Sequence, residues 1–194
     1  MPAGGTGLVL RGLRKEPAAI GKWHLGWDWT HKEGKAKTVD NIGFTKRVAN
    51  GPTDRGFDYF YGLTSPSGPP HLYMVNDMAE KQPNTRFEES GGGLYKIKGG
   101  IGHSDWSADG MQPHLADKML EYLDENKDSD KPFFLYMALT APHIPLFPSK
   151  EFKGKSKIGD YGDLVMMIDD IVGRVNRKLK EIGKYDNTIV MFAA

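Results

Sequence analysis

The carboxyl-terminal half of the chain has the clearest alternation of apolar and polar positions. Over about residues 112–126 the apolar positions recur at helical spacing. A stronger pattern covers about residues 160–183, where apolar residues stand three or four apart and basic residues occupy the outer side. The spacing therefore predicts two amphipathic helices, the second followed by Gly183 as a C-terminal cap.

A continuous apolar run at residues 133–139 and a largely apolar one at residues 187–192 flank the longer predicted helix. Runs without alternation are typical of strands that are buried on both faces of a sheet. A third short run, residues 17–21, ends in a glycine. Because strand, crossover helix and strand form a βαβ unit with parallel strands, the sequence predicts an α/β fold.

The region between about residues 26 and 110 shows little sustained periodicity. It is rich in Gly, Pro, Asn and aromatic residues, and the whole chain of 194 residues contains 24 glycines and 12 prolines. Such a composition favours loops. Within this region, residues 54–62 (DRGFDYFYG) are interpreted as an aromatic-rich turn that packs under a long loop.

Charge and cysteine content exclude several classes of function. The chain has 26 Lys+Arg and 25 Asp+Glu residues, and a net charge of +1 argues against a protein built to bind nucleic acid. The lack of cysteine excludes a disulfide framework, a thiolate nucleophile and a zinc–thiolate site within this chain. The apolar runs are too short to span a bilayer, so no membrane segment is predicted.

The first candidate site is the segment GKWHLG at residues 21–26, directly after a predicted strand. Alternate residues of an extended segment point to the same side, so Lys22 and His24 are expected to project together. An ammonium group and an imidazole at a strand end suit a tetrahedral oxyanion such as sulfate or phosphate. The alternative is a surface pair beside a structural tryptophan.

The second candidate is His143, which follows the predicted strand at residues 133–139 and lies between Pro142 and Pro145. A histidine held by two prolines can donate to a substrate oxygen or protonate a leaving group, although a lone histidine also serves structural roles. Both candidates lie at strand ends, where α/β sheets bind ligands. The Ser65 hydroxyl is a further possible donor to an oxyanion, or else a turn residue.

The order of these segments resembles the sulfatase family, and within it the arylsulfatase branch. The resemblance starts near residue 16 and continues to the end of the chain. The similar segments are the second sulfatase signature at residues 19–26, the aromatic turn at 56–62, the histidine-bearing strand and loop at 131–145, and the stretches at 161–163 and 186–190.

This resemblance implies an alkaline-phosphatase-like α/β/α sandwich with a mostly parallel sheet that hydrolyses sulfate esters. It implies that Lys22 and His24 hold oxygens of the sulfate and of a formylglycine nucleophile. It also implies that His143 contacts the sulfate and assists the leaving group. Ser65 lies near the position where some family members have a sulfate-contacting serine. The expected partner is a small-molecule or glycan sulfate ester.

The resemblance also implies groups that this sequence lacks. The family makes its formylglycine from the Cys or Ser of a C/S-x-P-x-R motif, next to a calcium ion, and no such motif occurs here. The aspartates that bind calcium would fall before Met1 and after Ala194. We therefore expect residues 1–194 to be an internal part of one catalytic domain, with residues 1–15 matching poorly. Without nucleophile and cation, this chain is expected to have no turnover.

Two other functions remain open at the level of sequence. One is hydrolysis of phosphate or phosphonate esters, because phosphate is tetrahedral like sulfate. The other is a non-catalytic module that binds an oxyanion or a glycan. Members of the family are often secreted, periplasmic or lysosomal, whereas the first residues of this chain lack the pattern of a signal peptide.

Overall fold

A five-stranded sheet forms the centre of the chain in the computed structural model, which describes residues 16–193. The strands in chain order are β1 (Glu16–Lys22), β2 (Tyr59–Leu63), β3 (Met74–Val75), β4 (Met78–Ala79), β5 (Thr85–Phe87), β6 (Gly100–Gly102) and β7 (Phe133–Ala138). The sheet has the order β4-β3-β2-β1-β7, and β5 and β6 form a separate antiparallel pair. Because β1 is parallel to both β2 and β7, the predicted α/β class is confirmed.

Both predicted helices are present. Helix α1 spans Met111–Glu125 and helix α2 spans Asp160–Glu181. Asp160 lies in the first turn of α2 and Lys178 in its last, which complements the helix dipole, and Gly183 adopts a φ of 70° just after the helix. No helix within residues 16–193 is long and apolar enough to cross a membrane.

Alternate residues of the central strands pack into two different layers. Ala18, Ile20 and Tyr61 join a core cluster built largely from α1 and α2. Ala19 and Phe60 join a second cluster on the opposite face of the sheet. That second layer comes from the loop-rich region and includes Ile42, Phe44, Val48, Phe57 and Leu72. The region without sequence periodicity therefore covers one face of the sheet.

Strand β2 corrects the interpretation of residues 54–62 as a turn. A short 3-10 turn is confined to Thr53–Arg55, whereas β2 has four buried residues out of five. Gly62 belongs to this strand and pairs with Gly21 of β1, and a Cβ at Gly62 would overlap the Gly21 carbonyl oxygen. Gly62 therefore lies where two strands approach each other closely and not at a chain reversal.

The prediction of a buried strand at residues 187–192 is wrong. Tyr185–Asn187 forms a 3-10 turn, and the following residues pair with no strand in the described part of the chain. Ile189 is 86% exposed and Met191 is 81% exposed. Strand β7 is therefore an edge strand rather than one buried on both faces. An apolar run becomes a buried strand only where a neighbouring strand and a covering layer lie against it.

Candidate active site

Three strand ends meet at one edge of the sheet. Lys22 at the end of β1 lies opposite Leu63 of β2, and Gly21 lies opposite Ala138 of β7. The Trp23 amide donates to the Leu63 carbonyl at 2.8 Å, so the pairing continues one residue beyond β1. Because the strands are parallel, the residues that follow each of them emerge at the same edge, where open α/β sheets bind their ligands.

Gly21 sets the approach of β1 to β7 immediately before Lys22. Its φ of 131° lies in the region that favours glycine. A Cβ at this position would overlap the carbonyl oxygen of Ala138. The backbone that carries Lys22 is therefore held against the end of the strand that leads to His143.

Trp23 anchors the segment that carries Lys22 and His24. The indole is 6% exposed, meets the Phe57 ring edge-on at 6.2 Å, and donates from Nε1 to the Gly26 carbonyl at 3.0 Å. Lys22 is half-buried and His24 is exposed. Burial lowers the pKa of Lys22 below that of an exposed lysine, and an anion beside the ammonium group would oppose that shift.

His143 is exposed and lies in a turn that begins at the end of β7. Its amide donates to the Thr140 carbonyl at 3.2 Å, and its Nδ1 lies 2.6 Å from the Ile144 carbonyl oxygen. Because a carbonyl only accepts hydrogen bonds, Nδ1 carries the proton in this contact. The neutral ring then has Nε2 as the nitrogen that can accept a proton from a ligand.

Ser65 follows β2 by two residues and is half-buried. Its Oγ accepts a hydrogen bond from the Ser67 amide at 3.3 Å, which is a local turn contact. The hydroxyl proton is not used by that bond. Ser65 thus has the turn contact that the sequence left as an alternative, and it lies beyond the same edge of the sheet as Lys22.

Sequence reasoning missed two polar contacts between α1 and the sheet. Gln112 Oε1 accepts hydrogen bonds from Thr140, which directly precedes the His143 turn. The Tyr61 hydroxyl donates to Glu80 at 2.8 Å and lies 2.7 Å from His114 Nε2, and burial followed by the Glu80 contact raises the pKa of Tyr61. The partners stand 28 and 53 residues apart, so no local motif marks either contact.

The described residues do not fit a calcium ion. Calcium takes six to eight oxygen ligands, mostly from carboxylates and carbonyls. Within residues 16–193 no group of three or more His, Asp or Glu side chains is arranged to hold a metal. The buried carboxylate of Asp163 is already engaged, because it accepts hydrogen bonds from the amides of Gly154 and Ser156.

The arrangement is that of an α/β protein with polar residues at the carboxyl edge of its sheet, and solved structures share the fold. The chain matches a sulfatase structure from work on glycosaminoglycan metabolism by Bacteroides thetaiotaomicron with a TM-score of 0.71 and 21% identity, covering 92% of this chain and 42% of that one. It matches the PsFucS1 sulfatase from a Pseudoalteromonas species with a TM-score of 0.61 and 22% identity, covering 92% and 34%. The fold is therefore alkaline-phosphatase-like.

Sequence comparison defines the family. A model of the Sulfatase family matches residues 9–194, so the chain belongs to the sulfatase family. It is 30% identical to the N-acetylgalactosamine-6-sulfatase of Sus scrofa over 190 residues, which are 96% of this chain and 31% of that protein. It is 27% identical to an arylsulfatase of Hemicentrotus pulcherrimus over 89% of this chain and 28% of that protein. The chain thus spans less than a third of the length of these relatives.

Proposed function

We propose that residues 1–194 form part of the single catalytic domain of an arylsulfatase-type enzyme that hydrolyses sulfate esters. The observation that supports this proposal is the convergence of strand ends: Lys22 ends β1 and His24 lies just beyond it, while His143 follows β7, which is adjacent and parallel to β1. Family membership supports the reaction class. The N-acetylgalactosamine-6-sulfatases among the relatives favour a sulfated sugar as substrate, within the wider class of small-molecule and glycan sulfate esters.

Each candidate residue has a role that its chemistry suits. The Lys22 ammonium and the His24 imidazole hold sulfate oxygens, where fixed donors stabilise the charge that develops on them. With a proton taken from water on Nε2, His143 contacts the sulfate ester and donates that proton to the leaving oxygen, which departs as the alcohol. The Ser65 hydroxyl donates to a further sulfate oxygen.

Nucleophile and metal belong, in this proposal, to residues of the intact enzyme other than these 194. The sequence has no cysteine and no C/S-x-P-x-R motif, and residues 16–193 offer no calcium site. A formylglycine and a calcium ion would supply the attacking oxygen and the charge stabilisation that the described residues lack. The chain alone therefore binds sulfate but does not turn over a sulfate ester.

Binding of inorganic sulfate to the purified chain tests the role of the edge. We expect saturable binding, observed by NMR as shifts of the His24 and His143 imidazole signals, that Lys22→Ala weakens by roughly tenfold or more because a charge-assisted contact is lost. The matched control is Lys46→Ala, an exposed lysine in the loop layer, which should leave the affinity unchanged. Equal loss in both variants, or no binding in the unaltered chain, would refute the assigned site.

Two further measurements separate the alternatives. Phosphate should compete less effectively than sulfate, and the reverse order would favour a phosphate or phosphonate ester hydrolase. Sequencing of the DNA on both sides of the reading frame should reveal a C/S-x-P-x-R motif upstream. Stop codons on both sides, together with intact sulfate binding, would instead favour a non-catalytic oxyanion- or glycan-binding protein.

A further inference from the structure

The turn that carries His143 is attached to helix α1 through one buried amide. Gln112, in the first turn of α1, is 2% exposed, and Thr140 is 5% exposed. Gln112 Oε1 accepts two hydrogen bonds from Thr140, from the backbone amide at 3.1 Å and from Oγ1 at 2.8 Å. Because a backbone N–H can only donate, the Thr140 amide requires an oxygen at this position and fixes the orientation of the Gln112 carboxamide.

The same contact continues to the histidine. The Thr140 carbonyl accepts the amide proton of His143 at 3.2 Å, which closes the turn. Nδ1 of the His143 ring is in turn bound to the Ile144 carbonyl at 2.6 Å. Hydrogen bonds thus connect α1, through Thr140, to the backbone of His143, and a separate bond to Ile144 orients its ring.

Packing alone does not account for a glutamine at this place in the core. Among the described residues, Gln112 Nε2 is buried and has no hydrogen-bond partner. An unsatisfied buried donor is unfavourable, and an apolar side chain of similar size would avoid it. The compensation that the structure offers is the pair of hydrogen bonds to Thr140.

We propose that Gln112 is a positioning residue for His143, acting through Thr140. The inference rests on the proposed function, in which His143 contacts the sulfate. Strand β7 has no strand on its outer side in the described part of the chain, so the sheet alone constrains the His143 turn weakly. The buried amide on α1 supplies a second attachment, which keeps the imidazole in place before the ligand binds.

Two variants and two controls test the proposal in the 194-residue chain. Gln112→Leu removes both hydrogen bonds, and Thr140→Val removes the Oγ1 bond while preserving shape. Thr140→Ser keeps the hydroxyl and should restore the behaviour of the unaltered chain. Tyr61→Phe removes a buried hydrogen bond between β2 and Glu80 beside the same helix and controls for general loss of stability.

The readouts are amide hydrogen exchange at Thr140 and His143, imidazole mobility of His143 by NMR relaxation, and affinity for inorganic sulfate. In Gln112→Leu we expect exchange at Thr140 and His143 to be roughly three- to tenfold faster, the His143 ring to be more mobile, and sulfate affinity to fall by a similar factor. Thr140→Val should show a smaller change, and Thr140→Ser and Tyr61→Phe none at these residues.

Unchanged exchange and mobility at 140–143 in Gln112→Leu would overturn the proposal, and so would an equal change in Tyr61→Phe, which would make the effect one of stability alone. The two proposals fail separately. If the unaltered chain binds no sulfate while Gln112→Leu still loosens His143, the sulfate site is refuted and the positioning contact is supported. If sulfate binds normally to Gln112→Leu, the site stands and the positioning role is refuted.

Discussion

Strands β2 and β7 both lie parallel to β1, yet their surroundings are opposite. Four of the five residues of β2 are buried, because β3 lies on its outer side and both faces are covered. None of the six residues of β7 is fully buried, and Tyr136 is 50% exposed. The sequence of β7 (FFLYMA) is nonetheless the more continuously apolar of the two. The position of a strand in the sheet decides its burial more than its composition does.

This difference divides the candidate site. Lys22 and Ser65 follow the well-packed pair of β1 and β2, whereas His143 follows the edge strand. Local opening is easier where few apolar contacts and unpaired backbone groups occur, so the His143 side is expected to be the more mobile one. The contact of Gln112 with Thr140 then supplies a second attachment on this side, where the described residues form no strand beyond β7.

Adding a side chain where two strands approach closely should have the largest effect on stability. A Cβ at Gly62 would overlap Gly21 on the β2 side, and a Cβ at Gly21 would overlap Ala138 on the β7 side. We expect Gly62→Ala to destabilise the chain by about 4 kcal/mol or more, since buried strands cannot move apart. Gly21→Ala should cost less, because the edge strand can shift, although its φ of 131° adds strain.

The stability of these two variants is measured by urea unfolding and by the yield of soluble chain. Gly92→Ala is the control, because a Cβ there meets nothing within 4 Å and its φ of −162° suits any residue. It should change stability by less than about 0.5 kcal/mol. If Gly21→Ala loses more stability than Gly62→Ala, the expectation that β7 shifts more easily than β2 is wrong.

Truncating one aromatic side chain in each strand tests the difference in burial between β2 and β7. Phe60 of β2 is 1% exposed, so Phe60→Ala should destabilise by about 3–5 kcal/mol through lost burial and a cavity. Tyr136 of β7 is half-exposed and stacks on Phe57 at a ring distance of 6.4 Å. Tyr136→Ala should therefore cost about 1 kcal/mol. The free energy of unfolding is measured with urea. Similar losses of stability in the two variants would mean that β7 is packed as tightly as β2, contrary to its exposure.

The sequence predicted both helices, each of which buries one face, and the presence of strands β1 and β7. Helix α2 was predicted closely because its apolar stripe and its charged face alternate within the helix itself. Strand β2 was not predicted because Gly62 was interpreted as a turn residue. Its close approach to β1, which is distant along the chain, is visible only in the structure. Residues 187–192 were predicted as a strand from composition, yet pairing determines whether such a run is buried.

The candidate site shows the same limit. Lys22, His24 and His143 are predicted as site residues because each follows a predicted strand closely, so local order along the chain is sufficient to select them as candidates. Gln112 was not found, because its partner Thr140 lies 28 residues away and a glutamine within a helix carries no signal. Contacts that join a helix to the end of a strand require the three-dimensional packing.

Acid sensitivity should be located on the β2 side of the sheet. Burial lowers the pKa of His71, against the opposing hydrogen bond to the Lys98 carbonyl, and burial also lowers the pKa of His114, whose Nε2 contacts Tyr61 of β2. The unfolded chain therefore binds more protons than the folded one below about pH 6.5, and stability falls as the pH decreases from there towards the folded pKa. Each histidine contributes a slope of at most about 1.4 kcal/mol per pH unit.

Replacing the titrating group isolates this effect. His71→Gln retains a donor for Lys98 and should reduce the slope of unfolding free energy against pH between about 6.5 and 5. Gly92→Ala, which changes no titratable group, is the control and should leave the slope as it is. Urea unfolding at a series of pH values gives both slopes, and an unchanged slope in His71→Gln would exclude His71 as a source of the sensitivity.

The smallest effect on stability is expected at the outer side of β7, where the described residues form no further strand. A change there should affect self-association more than stability. Unpaired backbone groups on an apolar edge strand favour pairing with another chain, and a charge on the strand opposes it. Tyr136→Lys also loses the ring contact with Phe57 and should change the unfolding free energy by about 1 kcal/mol. It should nevertheless lower self-association in sedimentation velocity experiments. Tyr136→Phe keeps the edge apolar and should associate like the unaltered chain. If Tyr136→Lys associates equally strongly, the contact lies elsewhere, and the exposed side chains of Ile189 and Met191 are the next surface to alter.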